Sequence, residues 1–107
     1  SFDKAAQAVG AFQARWPASG DGASALYWQG NALYGKRDYK EAIAVFRAFL
    51  TKSPDSERAS EAMLAIANSQ AEMKDKVGAR KTLDELIKAY PKSEAAVAGK
   101  ERLAALK

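Results

Sequence analysis

The chain contains no cysteine and no histidine. Without cysteine there is no disulfide and no thiol nucleophile, and redox usage marks no compartment. Without histidine the commonest general base and the commonest transition-metal ligand are missing together. No apolar run approaches the ~20 residues of a transmembrane helix, and no signal-peptide pattern opens the chain. Gly20 and Gly22 lack the lysine that would make a phosphate loop. Serines and carboxylates remain, but none sits in a nucleophile elbow or a paired-acid arrangement. These absences argue against an enzyme, and neither a cofactor nor a metal is expected. Proline is scarce too, with three in 107 residues, and their placement turns attention to what is present.

Each proline lies in the same frame. Trp16-Pro17-Ala18-Ser19, Ser53-Pro54-Asp55-Ser56 and Tyr90-Pro91-Lys92-Ser93 recur every 37 residues. The residues ahead of them align as well: Phe2 with Tyr39 and Lys76, Ala5 with Ala42 and Ala79, Val9 with Phe46 and Leu83, Phe12 with Phe49 and Leu86. A fixed period of this size marks a stacked array whose units bury their apolar faces only against neighbours. Hydrophobic residues are 48% of the chain and rich in alanine, which suits close-packed helices better than sheet. A single all-α domain over 1–107 is expected, large enough for its own core.

Helical periodicity places the elements. Phe2, Ala5, Ala6, Val9 and Phe12 form one stripe, ending before Pro17, which biases its predecessor away from helix. Ala25, Leu26, Gln29, Gly30 and Leu33 mark the second helix, ending near Gly35–Asp38. Tyr39, Ala42, Ile43, Phe46, Phe49 and Leu50 mark the third. The fourth is expected from about Ser56 through Met63, Ile66, Ala67 and Gln70 to Lys74. Ala79, Leu83, Leu86 and Ile87 mark the fifth, and Val97, Leu103 and Leu106 the sixth. Ser56 and Ser93 are N-cap candidates, each hydroxyl accepting an orphan amide of the first turn. The expected units are 1–18 as the second helix of a truncated repeat, repeats at 19–55 and 56–92, and a capping helix at 93–107. Because residue 1 already falls inside a unit, the sequence reads as part of a longer protein.

The spacing within each helix pair resembles the tetratricopeptide repeat. That pattern has a small residue in the first helix, a small residue and a large one four apart in the second, and a closing proline. Here these are Gly30, Ala42, Phe46 and Pro54, then Ala67, Ala79, Leu83 and Pro91. Leu26 and Met63 replace the pattern's tryptophan, Gln29 its leucine, and Leu33 and Gln70 its tyrosine. The implied fold is a superhelix of antiparallel pairs, about six helices in all. The unit is 37 residues where the standard one is 34. The extra three fall between Pro54 and Ala67, with a longer first helix as the expected result.

Three further segments sharpen the resemblance. Tyr27-Trp28-Gln29-Gly30, Asp38-Tyr39-Lys40-Glu41-Ala42 and Tyr90-Pro91-Lys92-Ser93, with the closing Gly99-Lys100-Glu101-Arg102-Leu103, are similar to the C-terminal repeat domain of the CpoB (YbgF) family. That family holds periplasmic cell-division coordinators associated with the Tol–Pal system. The resemblance implies a non-enzymatic adaptor in the periplasm. Its partner would be a protein or peptide segment of the Tol machinery, and its role to coordinate envelope constriction with septal wall synthesis. It also implies an upstream coiled coil that makes the whole protein oligomeric. The outer-membrane assembly lipoprotein BamD shares the proline–serine junction, so a repeat domain of an assembly factor, or of a cytoplasmic regulator, is the alternative.

First helices of such arrays line the concave face, and residues one turn apart point into it. Ser24, Tyr27, Asn31 and Tyr34 do so in one repeat; Glu61, Leu64, Asn68 and Ala71 in the next. An asparagine offers donor and acceptor to a peptide amide, or simply faces water. Tyrosine brings contact area at small entropic cost, or covers the edge of the core. With Tyr27 and Leu64 where a carboxylate clamp needs cations, recognition of a chain terminus is disfavoured. The net charge of +4 lies in residues 74–107, with nine basic and five acidic side chains. A basic end attracts anions, but the acids interleave with the lysines as on a solvated helical face. The aromatics follow the core stripes, so neither nucleic acid nor membrane insertion is expected.

The register has a direct test. Ala42→Leu and Ala79→Leu each place a large side chain where two helix backbones approach, and overpacking should cost ~1–3 kcal/mol. Thermal melts indistinguishable from the parent would refute the register.

Overall fold

The computed structural model describes residues 22–106; the expected helix over 2–15, the unit 1–18 and the Pro17–Ser19 junction lie outside them. Five helices occupy the described residues: α1 (Gly22–Gly35), α2 (Tyr39–Lys52), α3 (Ala59–Glu72), α4 (Lys76–Ala89) and α5 (Glu94–Ala105). No strand occurs among these residues. Each helix packs on the next, and the alternate helices α1, α3 and α5 also touch side by side. That is a superhelix of pairs, α1–α2 and α3–α4, with α5 standing where a third pair would begin.

Two kinds of connection repeat. Within a pair, the first helix closes on a left-handed residue, Arg37 (φ 69°) and then Lys74 (φ 68°), one period apart. The Asp38 amide reaches back to the Leu33 carbonyl at 2.9 Å, and the Arg37 amide to Tyr34 at 3.0 Å. Asp75 to Gln70 (2.8 Å) and Lys74 to Ala71 (3.0 Å) repeat the arrangement. These paired bonds satisfy carbonyls that the helix end leaves free. A residue with a Cβ is strained in this region, so the hydrogen bonds, not glycine, hold the turn.

Between pairs, the second helix ends before the proline. The amides of Ser53 and Tyr90 close it on Phe49 and Leu86 at 2.8 and 2.9 Å. Ser93 caps α5, its Oγ accepting from the Ala96 amide at 3.0 Å and donating to the Tyr90 carbonyl at 2.7 Å. Ser56 does not cap α3. Its Oγ accepts from the Arg58 amide at 3.1 Å, inside the turn that precedes the helix. α3 therefore starts at Ala59, not near Ser56. The three extra residues lengthen this junction rather than the helix, because the turn after Pro54 satisfies its own amides and α3 is 14 residues like α1. Tyr90 then ties junction to junction, its hydroxyl donating to the Pro54 carbonyl at 2.7 Å.

The core divides by repeat. Tyr27, Leu33, Ala42, Phe46, Phe49, Ala62 and Ile66 form one cluster; Ala67, Leu83, Leu86 and Ala95 form the other. At Gly30 a buried large side chain faces a small one. A Cβ built on Gly30 would lie 2.7 Å from Phe46 Cε1, inside any real carbon contact, so only glycine admits that ring. In the next repeat Ala67 and Leu83 occupy the same places, and both are buried. A methyl has been added on one helix where the ring has been lost from the other.

Gly30→Ala should therefore destabilise the fold by about 1–3 kcal/mol. Gly30→Ala with Phe46→Leu, which copies the Ala67–Leu83 pairing, should cost less than the two single changes summed, by ~1 kcal/mol. Strictly additive denaturation energies would show that the two side chains do not set the helix separation.

Candidate functional site

The first helices α1, α3 and α5 lie side by side, and their faces turned from α2 and α4 make one continuous surface. Ser24 and Glu61 stand exposed on it, with Asn31, Tyr34, Leu64, Asn68 and Ala71 partly covered. Tyr27 departs from this. It is 9% exposed and meets Phe46 and Phe49 with ring centroids 6.1 and 5.5 Å away. Its ring takes the second role open to it, as part of the core. Its hydroxyl donates to Glu61 Oε2 at 2.9 Å, joining α1 to α3.

That hydrogen bond ties the two first helices together on this surface. It spans 34 residues, one helical turn short of the 37-residue sequence period. Asn31 and Asn68 are equivalent in sequence but are not neighbours across the helices. Counted by the same step, Tyr34, Asn68 and Arg102 hold matching sequence positions on α1, α3 and α5. Arg102 lies close enough to Tyr34 to pull its pKa down, against burial, which comes first, and against Tyr39 and Glu72, which raise it. The net direction is upward. Tyr34 also meets Tyr39 edge to face, centroids 5.5 Å apart.

Two contributors escape a reading of sequence. Trp28 is 50% exposed, and the Arg58 guanidinium stacks over its ring at 4.7 Å and over the Tyr27 ring at 5.2 Å. Such cation–π contacts contribute ~0.5–1 kcal/mol at exposed sites. Arg58 comes from the junction before α3, 30 residues beyond Trp28, so periodicity offers no sign of the pairing. Arg102 was expected in the polar end cap, and only the 34-residue step reveals that it approaches Tyr34. Trp, Tyr and Arg gathered in this way have the composition of binding hot spots.

Among the described residues there is no group of three or more acidic, histidine or cysteine side chains fit to hold a metal. No described helix is long and apolar enough to cross a membrane. Of the signature positions, Gly30, Ala42, Phe46, Ala67, Ala79 and Leu83 are buried between helices, while Pro54 and Pro91 are exposed at the junctions.

Burial pushes the Tyr27 phenol above its ordinary pKa, Asn31 opposes, and Glu61 adds to the rise as acceptor and as charge. With the folded pKa above the unfolded one, the unfolded chain loses this proton first. The associated stability is present at neutral pH and is lost as pH rises through the phenol range. Tyr27→Phe should cost about 0.5–1 kcal/mol at neutral pH, and its deficit against the parent should narrow as pH rises toward and past about 10. Melts across that range decide; a deficit that grows would reverse the assignment.

Comparison with known proteins agrees with this geometry. Two family models described as tetratricopeptide repeat match the chain, one over residues 1–57 and the other over residues 33–103. The search of curated proteins finds no match.

Proposed function

The chain belongs to the tetratricopeptide repeat family, and from that premise we propose that it holds a protein segment along the surface of α1, α3 and α5. Domains of this family are protein–protein interaction scaffolds that bind proteins or peptides. The observation that carries the placement is the diagonal of partly open polar side chains from Tyr34 through Asn68 to Arg102, flanked by the Trp28–Arg58 stack. A peptide lying there would meet donors and acceptors on successive helices, one interhelical distance (~8–10 Å) apart. Ser24, Asn31, Glu61 and Leu64 complete the surface, and Tyr27 supports it from beneath.

The finer reading is a non-enzymatic periplasmic adaptor of the Tol–Pal-associated type, acting in cell division at the envelope. It rests on the Tyr-Trp-x-Gly, Asp-Tyr-x-x-Ala and Tyr-Pro-x-Ser segments. In this reading 19–55 and 56–92 are the working repeats and α5 belongs to the end cap.

Pull-downs from bacterial envelope extract with the parent and with Asn31→Ala/Asn68→Ala test both levels. Recovery of Tol-system proteins by the parent, reduced several-fold in the variant at unchanged melting temperature, is expected. Equal recovery would move the site off this surface. Recovery of assembly-factor partners instead would replace the Tol–Pal reading.

A further inference from the structure

The reverse side of α3 carries a second opening. Met63, Ile66 and Gln70 lie on the side of α3 opposite Glu61, Leu64 and Asn68, facing α2 and α4. With Leu50 and Arg47 of α2, and Gly78, Lys81, Thr82 and Glu85 of α4, they enclose a cleft of about 200 Å³. Leu50, Met63 and Ile66 supply its apolar wall, and polar side chains make up about half of the lining. Its foot is closed by a hydrogen bond from Thr82 Oγ1 to Gln70 Oε1 at 2.7 Å, and Gln70 is buried. At the equivalent place in the first repeat stands Leu33, so this polar contact belongs to the second repeat alone.

The rim is charged and unsatisfied. Among the described residues, the side chains of Arg47, Lys81 and Glu85 make no ion pair or hydrogen bond with the rest of the chain. Two cations against one carboxylate leave the rim net positive. The volume lies below the ~300–1,000 Å³ of small-molecule pockets and suits one large side chain. A phosphate or a lipid headgroup would gain from the cations but nothing from Leu50, Met63 and Ile66. We propose that this cleft takes a single apolar side chain of a partner protein, flanked on the partner by carboxylates that Arg47 and Lys81 receive. The site is on the reverse of the surface in the preceding reading and does not depend on it.

The probes are two short peptides, acetyl-Asp-Phe-Glu-amide and acetyl-Lys-Phe-Lys-amide, titrated at millimolar concentration into the isotope-labelled chain. With the acidic peptide, amide shifts should gather at Leu50, Ile66, Gln70, Gly78 and Thr82. The basic peptide should bind roughly fivefold more weakly, the scale of two exposed charge pairs. Arg47→Glu with Lys81→Glu, both at exposed positions, should reverse that order without lowering the melting temperature. Lys92→Ala, exposed at the junction before α5 and outside the cleft lining, should leave both titrations unchanged. Equal binding of the two peptides, shifts gathered elsewhere, or none at millimolar concentration would overturn the proposal.

Discussion

The closeness of two helices at Gly30 and Phe46 is the constraint from which the rest follows. The ring fills the space that a Cβ would occupy, so the backbones of α1 and α2 approach to the distance a glycine permits. That approach fixes where α2 presents Phe49 and Leu50 to α3, and hence where the second pair docks. The second repeat meets the same requirement with alanine and leucine. Ala59, Ala62, Ala79 and Ala96 are fully buried along the seams that follow. Alanine loses no rotamer freedom on burial, so a seam built from it obtains its dispersion contacts at little entropic cost. The architecture is held by small residues admitting large ones.

Seams of this kind fix distances but not direction, which the turns supply. Arg37 and Lys74 adopt the left-handed conformation at equal places in the two repeats. Strain accepted twice at the same position belongs to the design of the unit. The paired backbone bonds to Leu33 and Gln70 offset it, and the chain reverses in three residues. The Tyr90–Pro54 bond then links successive junctions on the outside, while Tyr27–Glu61 links successive first helices on the inside. Successive repeats are thus joined by a polar strut on each face.

Much of this was legible in sequence. The 37-residue frame, the small–large pairs and the Ser93 cap are local or periodic signals, and among the described residues the structure has helices where the apolar stripes place them, although Val97 of the last stripe is exposed. The start of α3 was not legible, because Ser56 and Ser93 share one frame yet use their hydroxyls differently. Ser93 accepts the Ala96 amide inside a helix, whereas Ser56 accepts the Arg58 amide inside a turn. Tyr27 was ambiguous for another reason. At helical spacing a ring can lean into the core or out of it, and Phe46 and Phe49 decide by offering edge contacts. Arg58 over Trp28 depends on the path of a junction, about which periodicity says nothing.

The mismatch between 37 and 34 explains why the surface itself resisted reading. Aligning the repeats sets Asn31 against Asn68 and Tyr27 against Leu64, as though the rungs ran straight across the helices. The three extra residues of each unit lie in the junction, and the side-chain bond between first helices, Tyr27 to Glu61, spans 34 residues rather than 37. A rung therefore joins different residue types, Tyr27 to Glu61 and Tyr34 through Asn68 to Arg102. In a straight ladder a ligand would meet the same chemistry at every repeat. Under the proposed reading a ligand crossing Tyr34, Asn68 and Arg102 would meet a phenol, an amide and a guanidinium in turn.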